Sequence, residues 1–194
     1  MMDLTVLHVE SPTAVYMCPV LVELKEFQKH LHKTASELTF DPDFEPEVGS
    51  IILVRSMSDG YWYRVRVISY MKGRVTFFCP DFGFVETVEL ENVRRINSRL
   101  AETFLSKKFF ACRCVLREWR DGRSSTEVET AAIKMIVRVS DKKVKVMVVE
   151  KSDGFYVVDI PGVDKTKLAR VGEMEEEVTR IRKDLGSMLV DSYY

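Results

Sequence analysis

Between residues 59 and 83 the chain carries three tight-turn signals, Asp59-Gly60, Lys72-Gly73 and Asp81-Phe82-Gly83, separated by short runs rich in β-branched and aromatic residues. Gly and Asp supply the special backbone conformations that tight turns need. The spacing predicts strands over Ser50–Ser56, Tyr61–Ser69, Arg74–Cys79 and Val85–Glu89. Strands this short and this closely spaced curl into a small closed barrel rather than half of a sandwich. Val93 and Ile96 end the series, and Asn97-Ser98 is placed to cap a short helix running through Lys108.

The flanks read differently. Leu4 to Met17 forms two short strands broken at Glu10-Ser11-Pro12, where proline cannot donate a ladder hydrogen bond. From Val20 to Leu38 the apolar residues Leu21, Leu24, Phe27, Leu31, Ala35 and Leu38 recur three or four apart, which predicts an amphipathic helix. Asp41-Pro42-Asp43-Phe44-Glu45-Pro46 is a linker, since its prolines favour extended backbone. Beyond the barrel come strands over Phe109–Arg117, Lys143–Glu150 and Gly154–Ile160, with Ala131–Val139 starting as helix and ending as strand. From Glu173 onward, Met174, Val178, Ile181, Leu185 and Met188 form a second amphipathic stripe. Acidic Glu175–Glu177 precede basic Arg180, Arg182 and Lys183, an order that suits a helix dipole.

Composition narrows the function classes. At 194 residues, 46% hydrophobic and 30% charged, the chain is an ordinary globular sequence. A net charge of -1 supplies no global field toward nucleic acid or membrane. No apolar run is long enough to span a bilayer, and the N-terminal residues predict no secretory leader. Cys18, Cys79, Cys112 and Cys114 sit inside apolar strand-like runs without CxxC spacing, which reads as buried free thiols in a reducing compartment. Three histidines and no metal-ligand spacing predict no zinc site, and no cofactor is implied.

Several motifs occur in a telling order: Val6-Leu7-His8-Val9-Glu10-Ser11-Pro12, then Gly49, then Asp59-Gly60-Tyr61-Trp62-Tyr63-Arg64-Val65, then Asp81-Phe82-Gly83-x-x-Glu86, and finally Val158-Asp159-Ile160 with Leu168…Gly172. Together they resemble the extended Tudor domain over about residues 4–172. The resemblance implies a mainly β fold with helices (α+β): a Tudor β-barrel over 47–97 inserted in a staphylococcal-nuclease-like, OB-type lobe over 1–40 and 98–172, the two joined by a long helix. Residues 173–194 follow as an amphipathic helix and tail. The family commonly binds peptides with symmetrically dimethylated arginine, often from Argonaute/PIWI-class proteins of small-RNA silencing in cytoplasmic, perinuclear germ granules. Methylation keeps the guanidinium charge while removing donors, so the group is weakly hydrated and sits well between aromatic faces.

Placed against the family's aromatic cage, this sequence supplies Tyr63 and Phe82 at two positions. Ser56 and Cys79 replace two further rings, and Phe84 replaces the asparagine that would bond the guanidinium. The resemblance therefore implies a non-enzymatic interaction module with a degenerate cage, binding an arginine-containing peptide or other protein partner independently of methylation. The alternative is a dimethylarginine reader working through Tyr63, Phe82 and a rearranged Phe84. Asp59 and Glu86 are expected as part of an acidic rim that attracts cationic peptide. Asp81 is expected to satisfy backbone N–H groups of its own turn. Arg64 and Arg66, alternating with Val65 and Val67, read as a solvated strand face. Trp62 reads as a packing residue, and Cys112 and Cys114 as core fillers. Lys107, Lys108, Arg113, Arg117, Arg120 and Arg123 make the next segment basic. Hence a further alternative is single-stranded nucleic-acid binding, with Trp119 as a stacking platform. No cluster of carboxylates with arginine stands out for metal-assisted hydrolysis, so a nuclease is not expected.

Overall fold

The computed structural model describes residues 1–120, 130, 133–134, 143–161 and 163. The chain divides into two compact units: Met1–Val15 with Cys114 onward, and Tyr16–Arg113.

The first unit is built on strands β1 (Met2–Ser11), β2 (Ala14–Cys18), β8 (Cys112–Leu116), β9 (Lys143–Ser152) and β10 (Phe155–Asp159). They form a closed barrel in the order β1-β2-β8-β10-β9. β9 runs antiparallel to β1 and β10, whereas β10 runs parallel to β8. A bulge between Val157 and Val158 shifts the β9–β10 register. Leu4 and Val6 on β1 and Val144 and Val146 on β9 are buried at alternate positions, whereas β2, β8 and β10 bury consecutive residues such as Val115-Leu116 and Val157-Val158.

The second unit contains helix α1 (Leu21–Ser36), strands β3 (Ile51–Arg55), β4 (Trp62–Met71), β5 (Arg74–Phe78), β6 (Val85–Glu89) and β7 (Val93–Arg94), and helix α2 (Ser98–Leu105). α1 buries Leu24, Phe27, Leu31 and Ala35, the stripe the sequence spacing predicts, though Leu21 and Leu38 stay partly exposed. A helix of this length is marginal in water, so this apolar face is what holds it. The strands make an antiparallel sheet in the order β6-β5-β4-β3-β7. Every strand expected between 50 and 89 is present within two residues of its predicted ends. The β4–β5 turn has Lys72 at φ 52 and Gly73 at φ 75, and Met71 pairs with Arg74. Two consecutive positive φ values are those of a type I′ hairpin, whose twist matches the strands.

The expected small closed barrel is, by strand pairing, a five-stranded sheet whose edges β6 and β7 are not paired with each other. β6 and β7 lie at opposite ends of the sheet order, yet only Leu90–Asn92, a single 3-10 turn, separates them in the chain. Three residues reach at most about 10 Å, so the sheet must curl to bring its edges together. The core of this curl contains Ile52, Val54, Tyr63, Val65, Val67, Val75, Phe77, Cys79 and Val88, with Phe82 and Phe84 packed against it. α2 is shorter than predicted, ending at Leu105; Asn97 caps it by accepting from Leu100 N–H at 3.0 Å. β8 begins at Cys112, three residues later than predicted, because 107–110 serve a different purpose described below. The stripe expected from Glu173 and most of Ala131–Val139 lie outside the described residues.

Candidate functional site

The β3–β4 and β5–β6 turns bring three aromatic rings together. Tyr63 lies on β4, and Phe82 and Phe84 on the turn between β5 and β6. Ring centroids are 5.2 Å apart for Tyr63–Phe82 and 5.4 Å for Tyr63–Phe84, both near perpendicular at 86° and 87°. Phe82 and Phe84 are 6.4 Å apart. Tyr63 is buried, whereas Phe82 and Phe84 are partly exposed. Edge-to-face contacts of this kind contribute beyond simple area burial, because the positive edge of one ring meets the negative face of another.

The turns that carry these rings are rigid. Cys79 N–H donates to the Phe84 carbonyl at 2.8 Å, and Gly83 N–H donates to the Cys79 carbonyl at 2.7 Å. Gly83 has φ +92, and the ring of Tyr16 lies so close that a Cβ there would sit 2.0 Å from it. Cys79 is fully buried, so the position where a cage would need a ring belongs to the barrel core. Burial, reinforced by the Asp81 carboxylate, pushes its thiol pKa up and keeps it protonated.

The two carboxylates expected as part of an acidic rim are each hydrogen-bonded within the protein. Asp59 accepts from Tyr63 Oη at 2.6 Å and from Tyr61 N–H at 2.9 Å. Glu86 accepts from Ser56 Oγ at 2.7 Å and from Met57 N–H at 2.8 Å. Glu86 thereby ties β6 to the residues after β3 and clasps a gap that the sheet ladder leaves. Ser56, 3% exposed, is occupied as the donor of that clasp. Both carboxylates nevertheless leave negative charge beside the aromatic corner.

Burial, and then the hydrogen bond to Asp59, push the Tyr63 phenol pKa well above its ordinary value. Tyr63→Phe is expected to cost about 1–2 kcal/mol at neutral pH. Above an ordinary tyrosine pKa of about 10, the unfolded chain loses this proton while the folded one keeps it. Wild-type stability therefore falls with rising pH there, and the gap to Tyr63→Phe narrows. Urea unfolding of both proteins between pH 8 and 11 measures this; a constant gap would contradict it.

Asp81 is buried but does not bond its own turn. It takes the Arg64 guanidinium side-on, Nε to Oδ2 at 2.6 Å and Nη2 to Oδ1 at 2.8 Å, and accepts from Phe110 N–H at 3.0 Å. Arg64 is 1% exposed, correcting its reading as solvated; Arg66 is exposed as expected. Arg64 Nη1 donates to the carbonyls of Phe104 and, at 2.9 Å, Lys107, and Nη2 donates to that of Lys108 at 3.0 Å. A guanidinium has five donors, so all are spent. Its Cζ lies 4.5 Å from the centroid of the Phe27 ring and 4.8 Å from that of Phe109. The charge also sits at the C-terminal end of α2, where the helix dipole favours a cation. Sequence reasoning missed this residue entirely. A smaller arrangement repeats the theme: Arg94 lies over Trp62 at 4.9 Å and Phe40 at 5.7 Å, and Trp62 is buried as a packing residue.

The nucleic-acid reading loses its platform. Trp119 is 1% exposed and presents no face for a base to stack on. Arg117 and Arg120 are paired with Asp159 at 3.1 Å and Glu150 at 2.6 Å, and Arg123 lies outside the described residues. Cys114 is buried while Cys112 is only partly so. Among the described residues no cluster of His, Cys, Asp and Glu has the makings of a metal site.

The curled five-stranded sheet, its aromatic corner and the additional five-stranded closed barrel make the fold that of an extended Tudor domain. The chain belongs to the Tudor domain family, whose model matches residues 1–118. Among solved structures it is similar to extended-Tudor 9 of Drosophila melanogaster, with a TM-score of 0.68 and 16% identity, covering 93% of this chain and 99% of that one. It is also similar to extended Tudor domain TD3 of mouse TDRD1, solved in complex with a MILI peptide containing dimethylarginine. There the TM-score is 0.66 at 23% identity, covering 82% of this chain and 80% of that one. In sequence it is 25% identical over 191 residues to Tudor domain-containing protein 1 of Danio rerio, which covers 96% of this chain and 15% of the relative. The chain thus spans a small part of that protein's length.

Proposed function

We propose that the chain is a non-enzymatic interaction module that binds an arginine-containing segment of a partner protein at the corner of Tyr63, Phe82 and Phe84, with no gain from arginine methylation. The observation that carries this reading is the composition of the corner: aromatic rings beside the Asp59 and Glu86 carboxylates, with Ser56 and Cys79 where additional rings would enclose methyl groups. Two carboxylates favour any guanidinium, methylated or not. Methyl groups add affinity only when rings surround them. Similarity to a domain solved with a dimethylarginine peptide from MILI supports a peptide ligand and, by extension, an Argonaute/PIWI-class partner in small-RNA silencing granules of the cytoplasm.

Calorimetry with one arginine-containing peptide in unmodified and symmetrically dimethylated forms tests the reading. Equal affinities within about fivefold are expected, since a single partly exposed ring contact is worth about 0.5–1 kcal/mol at most. Markedly tighter binding of the methylated peptide would overturn it. Tyr63→Ala with Phe82→Ala should abolish binding of both forms.

A further inference from the structure

Nothing in the chemistry of the β5–β6 turn calls for an aromatic residue at position 84. The turn is closed by main-chain bonds, Cys79 N–H to the Phe84 carbonyl and Gly83 N–H to the Cys79 carbonyl, which any side chain would allow. Yet the Phe84 ring reaches into the corner, 5.4 Å from Tyr63, 6.4 Å from Phe82 and 6.2 Å from Phe77. A cation must approach a ring face to within about 6 Å of its centroid. In this corner the perpendicular contacts spend aromatic faces on neighbouring edges, so the protein's own rings satisfy one another.

We propose that Phe84 is an intramolecular plug: its ring packs beside the touching Tyr63 and Phe82 rings, in the volume that the methyl groups of a dimethylated guanidinium would need, and thereby sets the methylation-independence of the site. This deepens the reading of the corner as the ligand site and rests on it. The base of the plug is fixed and its head is free to move. Gly83 is pinned against Tyr16, with no room for even a Cβ, so the backbone holds still. The Phe84 side chain itself has no hydrogen-bonding group and is partly exposed, so its ring can leave by rotation about χ1 without breaking either main-chain bond. The space it vacates is bounded by two rings and lies beside Asp59 and Glu86. That combination suits a weakly hydrated cation, and a dimethylated guanidinium in particular.

The test compares wild type with Phe84→Ala in calorimetry, using one arginine-containing peptide unmodified and symmetrically dimethylated. The variant is expected to bind the dimethylated form about tenfold more tightly than wild type does, with a distinctly smaller change for the unmodified form, so that a preference for methylation appears. Adding Phe82→Ala to Phe84→Ala should remove the gain. A cooperatively melting Phe84→Ala with no gain for the methylated peptide overturns the plug, even where wild type binds the unmodified peptide as proposed above. If wild type binds neither form but Phe84→Ala binds the methylated one, the plug stands and the methylation-independent function falls. Should Phe84→Ala fail to fold, Phe84→Leu, which keeps apolar volume without a ring, is expected to show a smaller gain of the same sign, and no gain there overturns the proposal.

Discussion

Replacing Arg64 with Met is expected to lower the free energy of unfolding by about 3–5 kcal/mol. The substitution strands the Asp81 carboxylate, 2% exposed, with only the Phe110 N–H as partner, and it leaves the carbonyls of Phe104, Lys107 and Lys108 without their shared donor. A buried charge without its counter-ion is far costlier than a pair removed together. Arg64→Met combined with Asp81→Leu should therefore recover a large part of the loss. Arg64→Lys should recover little, because a compact ammonium cannot span both carboxylate oxygens and three carbonyls, nor stack as a plane between Phe27 and Phe109. Chemical denaturation of the three variants measures the effect. A loss below about 1 kcal/mol for Arg64→Met, the range of an exposed ion pair, would show that the network is not held as described.

Gly83→Ala is the second large effect. The left-handed backbone at φ +92 costs a residue with a Cβ about 1–2 kcal/mol. The approach to Tyr16 adds an overpacking cost of about 1–3 kcal/mol. The sum, about 2–5 kcal/mol, should appear as a drop in denaturation midpoint with unchanged m-value. Tyr16→Ala in the Gly83→Ala background relieves the clash but not the strain. That double variant should separate the two contributions; if it is no more stable than expected from adding the single losses, the contact between the two residues is not the cause.

The parts of this molecule that depend on neighbours in sequence were legible there. The I′ turn at Lys72-Gly73, the α1 stripe at Leu24, Phe27, Leu31 and Ala35, and the Asn97 cap all follow from spacings of a few residues. What escaped depends on distant partners. Alternation along β4 correctly separates Arg64 from Val65 as opposite faces, but it carries no information about whether a face is covered. Phe27 and Phe109 cover the Arg64 face, and the carbonyls it bonds lie 40 to 44 positions later. Glu86 looked like rim charge because its donor, Ser56, is 30 positions earlier in the chain. Trp119 beside Arg117 and Arg120 read as a platform because sequence shows the ring and the charges, not the barrel that buries the ring. The aromatic corner falls between these cases. Sequence placed Tyr63 and Phe82, while the edge-on packing of Phe84 against Tyr63 and its tilted contact with Phe82 became visible only in three dimensions.

The Arg64 network also sets where the chain can be cut. The barrel strands end at Arg94, which invites excision of the barrel as a minimal domain. A fragment stopping there would carry Arg64 and Asp81 but none of the acceptors at 104–108, nor the Phe110 amide. Its central cation would lose those acceptors together with the Phe109 ring that covers it, and the Arg64 face of the sheet would be opened to water. The smallest autonomous piece is therefore defined by side-chain valence rather than by the last strand, and it reaches at least to Phe110.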